Sequence, residues 1–424
     1  IIVVTILSIE PKNSAYGAMQ NTAMKWETTT QTDAGIDMGF FRDRIRVILD
    51  VYNKQTDNML FSIQLPDTSP FSTVKANVGS ARFYGLEAEV HTVNAERRNF
   101  HWSTDLTLAL SRNKVLSLPD EYMYDEVDID GQFTGNKCWR IGGYTMSETG
   151  YRYGGIAVGE PLGRIYGYKV DHIIQSLEEA DKALYDTESF GFRVSDGLRI
   201  KGRKDEGDYE WCNMPGSARE GGAEIINSED MFLLGNVMPK ASGGIGNTFK
   251  YGSLSLHVYL DYAVGHSIIN GMKSHLLKNT MGDCNSMLGS LVYDCWTHEG
   301  DTGAKYARYT PNDSDWGNRN WRGVSSFMVE RGDYLCIRDV TLSYDLPERW
   351  TSRVSMKRVT VGVSGNTLHY FTAVTGAVST ETGISSSSGA SMYEAVSTSN
   401  SDGDVRANMM PNPAKVLFNL KVVF

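Results

Sequence analysis

The residues from Leu335 to Asp345 alternate between apolar and polar, and that alternation narrows what the chain can become. Leu335 and Ile337 are apolar with Cys336 and Arg338 between them. The phase slips by one at Arg338-Asp339, then resumes with Val340, Leu342 and Tyr344 against Thr341, Ser343 and Asp345. A period of two puts successive side chains on opposite faces of a strand, and a single slip marks a β-bulge. Pro347 has no N–H to give a ladder and closes the element. The same pattern recurs along the chain. Ile45, Val47, Leu49 and Val51 stand against Arg44, Arg46 and Asp50. Leu254, Leu256, Val258, Leu260 and Tyr262 stand against Ser255, His257, Tyr259 and Asp261. Trp102 to Leu110, Tyr84 to Val90 and Val359 to Val363 behave alike. The chain reads as all-β and antiparallel, with strands of about ten residues and several long loops.

A length of 424 residues alone suggests two or three domains, but a barrel lets many strands share one structure. No apolar run reaches the eighteen or so residues of a membrane helix. Ile1 to Leu7 is too short for one, and lacks the basic flank and cleavage site of a signal peptide. A spanning strand needs only about nine to eleven residues, half of them polar, so low average hydropathy leaves a membrane barrel open. The 22 Tyr, 15 Phe and 42 Gly suit aromatic girdles and tight turns, and equally a soluble β-sandwich. A net charge of −10 without a basic stripe argues against a nucleic-acid partner.

The side chains that carry chemistry form no catalytic set. No His lies in an H-E-x-x-H pair, no G-x-S-x-G elbow is present, and Glu87 and Glu89 read as an acid pair facing a lumen. The reading is a non-enzyme without cofactor or metal. The five cysteines lack C-x-x-C spacing; Cys284 and Cys295 fall in one loop and are candidates for pairing in an oxidising compartment. Ligand contact is expected from loop aromatics among amides and acids, namely Trp296, Tyr306, Tyr309, Trp316 and Trp321. Flat rings receive the apolar face of a sugar while polar neighbours take its hydroxyls. The alternative is that these rings pack the loop against itself or form an interfacial girdle.

Several stretches resemble one family. Ser325, Phe327, Val329, Glu330, Gly332, Tyr334, Leu335, Val340, Thr341, Leu342, Tyr344, Leu346 and Pro347 follow in order a segment of SusC-like TonB-dependent outer-membrane transporters. The stretch from Asn21 to Thr56 matches at Lys25, Trp26, Glu27, Gln31, Gly35, Asp37, Arg44, Asp50 and Tyr52, mostly polar positions that no periodicity forces. Gly159 to Asp171 resembles the family's G-x-P-L-G-x-x-Y-G-Y-x-x-D, and Leu234 to Lys240 returns to its pattern. The resemblance has gaps at 119–155, 200–225 and 272–325. Relatives carry an acidic loop that looks like a calcium site, whereas Asp208 to Asp230 keeps only scattered acids.

The resemblance implies a transmembrane antiparallel β-barrel with long extracellular loops. Residues 1–424 correspond to the C-terminal portion of a barrel of about twenty-two strands, with the plug domain and the first half of the barrel outside this chain. It implies TonB-dependent import of oligosaccharides or peptides through the outer membrane of a Gram-negative bacterium. The expected partners are a SusD-like surface lipoprotein as lid, the TonB-ExbB-ExbD complex and outer-membrane lipid. A passive porin or a soluble sugar-binding or hydrolytic β-sandwich are the other readings. Ile45, Val47, Leu49, Leu256, Val258, Leu260, Leu342 and Phe424 are expected to face lipid. Arg44, Arg46, Asp50, His257, Asp261 and Ser343 are expected to face the lumen. Phe418, Leu420, Val422 and Phe424 are expected to form a closing strand and the signal read by the assembly machinery.

Overall fold

The computed structural model describes residues 3–6, 18–19, 21–64, 73–77, 79–118, 123–139, 143–144, 151–152, 154–186, 192–193, 198–199, 203–214, 219–220, 223–226, 230–270, 293–308, 320, 325–354, 356–374 and 413–424. Ten strands make one sheet, in chain order throughout. They are β1 (Val3–Ile6), β2 (Thr28–Phe40), β3 (Ile45–Asp57), β4 (Ser80–Arg97), β5 (Phe100–Ser117), β6 (Ala241–Tyr251), β7 (Leu254–Val264), β8 (Tyr334–Asp345), β9 (Arg358–Thr372) and β10 (Lys415–Val423). Every pairing is antiparallel.

Connections alternate in length. Residues 41–44, 98–99, 252–253 and 346–357 join strands at one end; 58–79, 118–240, 265–333 and 373–414 join them at the other. The four-residue turn 41–44 takes three successive residues, Phe41 to Asp43, through φ +56°, +59° and +61°. Left-handed backbone costs a residue with a Cβ roughly 1–2 kcal/mol. β5 and β6 are hydrogen-bonded neighbours, so all of residues 118–240 is an insertion between adjacent strands.

Register carries the apolar phase across the sheet. Met38 lies opposite Val47, Val47 opposite Val90, and Val90 opposite Leu106. Leu106 meets Ile245, which meets Leu260; farther on, Leu256 meets Leu342, Leu342 meets Val363 and Val363 meets Phe418. The apolar positions of β2 to β10 thus share one face. Side chains on it lie at the surface, Ile36 53%, Leu342 41% and Phe418 86% exposed. Among the described residues no second sheet covers them, which removes the sandwich reading. The members of the expected lipid-facing set that lie on strands all fall on this face, and Arg46, Asp50, His257, Asp261 and Ser343 fall on the other.

β4 and β5 have 18 residues each, longer than expected. On β5 the outward residues are apolar from Phe100 to Leu110, save Thr104; beyond them Arg112 and Lys114 point outward. A run of that length matches a bilayer span, and the rest of the hairpin continues into water. Alternation changes there because the outward face turns polar while Phe83 and Val115 on the other face pack in a buried cluster. The phase slip is present as a bulge: the pairing skips Arg338 in β8, while β9 steps past Thr367 and Leu368, with Thr367 at φ +52°.

The inserted segments build the buried core. Phe232–Asn236, Arg164–Gly167, Gly154–Ala157, Phe133–Trp139 and Met123–Val127 form a five-stranded sheet. Tyr166, Tyr209, Trp211 and Ile226 pack together, and Met59, Phe83, Val115 and Leu162 fasten this body to the long-connection end of the large sheet.

Candidate functional site

The second face of the sheet is polar from strand to strand. One row of directly opposed residues runs Arg46, His91, Asp105, Gly246, Tyr259, Asp339 and Asn366. The next runs Asp37, Ile48, Glu89, Thr107, Gly244, Asp261, Cys336 and Tyr370. Asp50 and Glu87 face each other in a third. Carboxylates outnumber guanidinium groups here, so a solute beside this wall meets a mostly negative, hydrogen-bonding surface.

The bulge has a chemical result. It sends Arg338 and Asp339, adjacent in sequence, to the same polar face. Arg338 clamps Asp261 through two parallel bonds, Nε to Oδ1 at 2.9 Å and Nη2 to Oδ2 at 2.8 Å. Its guanidinium carbon stands 5.7 Å from the centre of the Tyr370 ring. Asp339 accepts from Thr341 at 2.8 Å and from Asn366 at 2.7 Å. Forked Arg–carboxylate geometry fixes both partners, and the pair is mostly shielded. Arg46 and Asp37 pair at 2.7 Å but are more than half exposed, so that contact is worth little. Arg44, expected to face the lumen, donates to the carbonyls of Val93 and Asn94 at the neighbouring strand's register shift. Gly244 leaves room for a ring: a Cβ there would lie 2.3 Å from the Tyr259 hydroxyl.

At the long-connection end, buried charge ties distant segments together. Arg308 donates to Asp208 Oδ1 at 2.7 Å and to Asp205 Oδ2 at 2.8 Å, and Asn320 donates to Asp208 at 3.0 Å. Burial works against the Arg308 charge, but Asp208 and Asp205 more than offset it and hold the guanidinium above its ordinary range. Lys204 reaches Glu210 at 2.5 Å, and Arg164 lies between Glu126 and Glu160. Asp208, one of the acids too sparse for a calcium loop, is thus held by an internal cation.

The expected ligand aromatics divide. Trp296 and Tyr306 come together, with the Trp296 amide on the Tyr306 carbonyl at 2.9 Å, but both are buried. Trp296 Nε1 donates to Gln175 at 3.2 Å and its ring covers Gly207, where a Cβ would lie 2.3 Å from Cε3. Both rings are packed within the loop, Trp296 8% and Tyr306 7% exposed. Tyr309, Trp316, Trp321 and Cys284 lie outside the described residues, and Cys295 is buried. An open cleft of about 480 Å³ nearby, lined by Asp171, His172, Glu179, Lys182, Glu210 and Cys212, gave no signal in the sequence. His172 stands 2.8 Å from Asp171 and 3.1 Å from Glu179. Burial pushes the Cys212 thiol up to about 11.

Comparison with known proteins accounts for this two-faced wall. A family profile described as TonB dependent receptor-like, beta-barrel matches residues 8–200. TonB-dependent receptor P39 of Formosa agariphila is 25% identical over 378 residues, covering 83% of this chain and 32% of its own length. TonB-dependent receptor SusC of Bacteroides thetaiotaomicron is 31% identical over 99 residues, 23% of this chain and 10% of that protein. The RagAB peptide transporter has the same fold over 99% of this chain and 38% of its own, with a TM-score of 0.61 at 16% identity. The chain is similar to the SusC-like TonB-dependent receptor barrels.

It spans about a third of the length of the first curated relatives it matches. Barrels of that family are of the bacterial outer membrane. Family-like stretches far apart in sequence prove to be contacts of the barrel. Asn236 donates to the Leu162 carbonyl at 3.0 Å, and Leu162 donates to Asn113 on β5 at 2.5 Å. Asn21 donates to the Lys75 carbonyl, Glu27 accepts from the Leu60 amide, and Asn77 exchanges bonds with the Lys25 backbone. These polar groups pin backbone.

Proposed function

We propose that this chain is the C-terminal part of a barrel that imports an oligosaccharide or a peptide across the outer membrane of a Gram-negative bacterium. Import draws on TonB-ExbB-ExbD, and a SusD-like lipoprotein closes the extracellular side. The observation that carries the reading is the sheet itself, apolar on one face and polar with bound charge on the other through nine successive strands. Such a sheet meets lipid and water at once, which is what the wall of a conduit requires. The long connections fold into a packed body at one end, a platform for a lid. RagAB is a peptide importer, which favours peptide; the mixed polar wall suits either cargo. Contact with cargo by Tyr309, Trp316 and Trp321 belongs to the same proposal.

The test is uptake by cells producing the full-length protein, with fluorescent peptide and oligosaccharide pools, in the presence and absence of TonB and of the lid lipoprotein. The reading expects accumulation of one cargo class that is lost without TonB. Equal uptake without TonB converts the protein to a passive porin, and no uptake of either class removes the import reading.

A further inference from the structure

The short-turn end of the sheet carries a charge opposite to that of the chain. The chain is acidic, at −10, yet Arg42, Arg97, Arg98, Arg349, Arg353 and Lys357 are all exposed along that rim. None forms an ion pair among the described residues. The acids nearby are fewer and partly engaged: Glu96 lies 2.7 Å from His101, and Asp345 accepts from Thr360 at 2.5 Å. Asp43 and Glu348 complete the set. Turns recur every second strand, about 10 Å apart, and the cations line the rim at the first, second and fourth of them, Gly252-Ser253 carrying none.

Aromatic groups stand beside them. Phe41 is 76%, Tyr251 67% and Trp350 52% exposed, and the Arg349 guanidinium lies 5.6 Å from the Trp350 ring. On the outward face Arg97 is register partner of Phe100, and Phe100 of Tyr251. One step toward the bilayer, Trp102 stacks on Phe249 at 5.6 Å and gives its N–H to Asn247 at 3.1 Å. An aromatic body in hydrocarbon with a polar tip in water marks the interface level, and the cations begin just beyond it. A lipid whose tails lie on the apolar face must place its headgroup against this line.

We propose that the short-turn rim is a binding surface for anionic phospholipid headgroups of the leaflet it faces, the periplasmic one in barrels of this kind. Guanidinium groups take phosphate oxygens in pairs, and each rim cation contributes about a fivefold gain in retention next to an anionic surface. The rim thereby fixes the height and tilt of the wall in the membrane. The proposal needs only the membrane reading; it does not depend on the cargo or on TonB.

The experiment uses the full-length protein in nanodiscs of phosphatidylethanolamine with a minority of phosphatidylglycerol, with retained lipid counted by native mass spectrometry. The wild type is expected to retain phosphatidylglycerol over phosphatidylethanolamine. Replacing Arg97, Arg98, Arg349 and Arg353 by Gln is expected to lower that preference by about two to three orders of magnitude, at fivefold per charge. Replacing the same four by Lys keeps the charge and most of the preference, which separates headgroup binding from faulty folding. Lys182→Gln, on a long connection, is expected to change nothing. Equal retention of both lipids by the wild type, or an unchanged preference in the Gln variant, overturns the proposal. A Gln variant that loses uptake while keeping its lipid assigns the rim to a protein partner instead, which also overturns it.

Discussion

Replacing Arg308 by Met tests whether buried charge holds the long connections in one body. The guanidinium makes two bonds to Asp208, at 2.7 and 3.3 Å, and one to Asp205 at 2.8 Å. All three residues are less than a tenth exposed. Met fills similar space but leaves two carboxylates buried without their cation, a change that costs about 3–5 kcal/mol. Local opening carries that cost, so hydrogen exchange of amides released by the opening is expected to quicken by roughly two to four orders of magnitude. The reporters are the Tyr209 amide, which donates to Asn320, the Gly207 amide on Ile174, and the Arg308 amide on Gly207. Amides of Leu254–Val264 serve as control, since they sit in the large sheet and should not change. Adding Asp205→Asn and Asp208→Asn to Arg308→Met should recover most of the protection, because neutral groups no longer need the cation. Unchanged exchange at Gly207 and Tyr209 in the single variant would refute the reasoning.

Three further outcomes follow from the same geometry. Leu256→Arg places a charge on the lipid face and should cost about 2–4 kcal/mol, read as a smaller heat-modifiable fraction, whereas Ser343→Arg on the polar face should fold normally. Burial holds the Cys212 thiol near 11, so it stays protonated through neutral pH; its alkylation should rise about tenfold per pH unit from 8 to 10 and level off only near 11. Deleting Phe424, 74% exposed at the end of an outward row with Phe418 and Leu420, should lower the assembled barrel in the outer membrane without lowering synthesis; equal assembly would remove its role as signal.

The sequence made the large sheet legible where one face is dry. Ile45 to Val51 and Leu254 to Tyr262 alternate because lipid accepts only one kind of side chain, and the slip at Arg338 showed for the same reason. Strand ends were not legible. Past Leu110 the outward residues are Arg112 and Lys114, the apolar side chains Phe83 and Val115 turn to the opposite face, and the phase of the apolar pattern is lost. The inserted body was hidden for a different reason. Its stability comes from contacts such as Arg308 with Asp205, which are 103 residues apart and leave no spacing to read. The burial of Trp296 and Tyr306 was not legible, because a ring that packs on a glycine and a ring that stacks on a sugar look alike in sequence. Trp296 over Gly207 is the first kind.

The central claim is that the two faces of this sheet meet lipid and water. The direct measurement is a spin-label scan from Leu254 to Val264 in the full-length protein in bilayers, comparing collision with oxygen and with a water-soluble nickel chelate. Labels at Leu256, Val258 and Leu260 should collide mainly with oxygen, and those at His257, Tyr259 and Asp261 mainly with the chelate, alternating residue by residue. Uniform access to the chelate at all six positions, or an alternation of the opposite phase, would contradict the account.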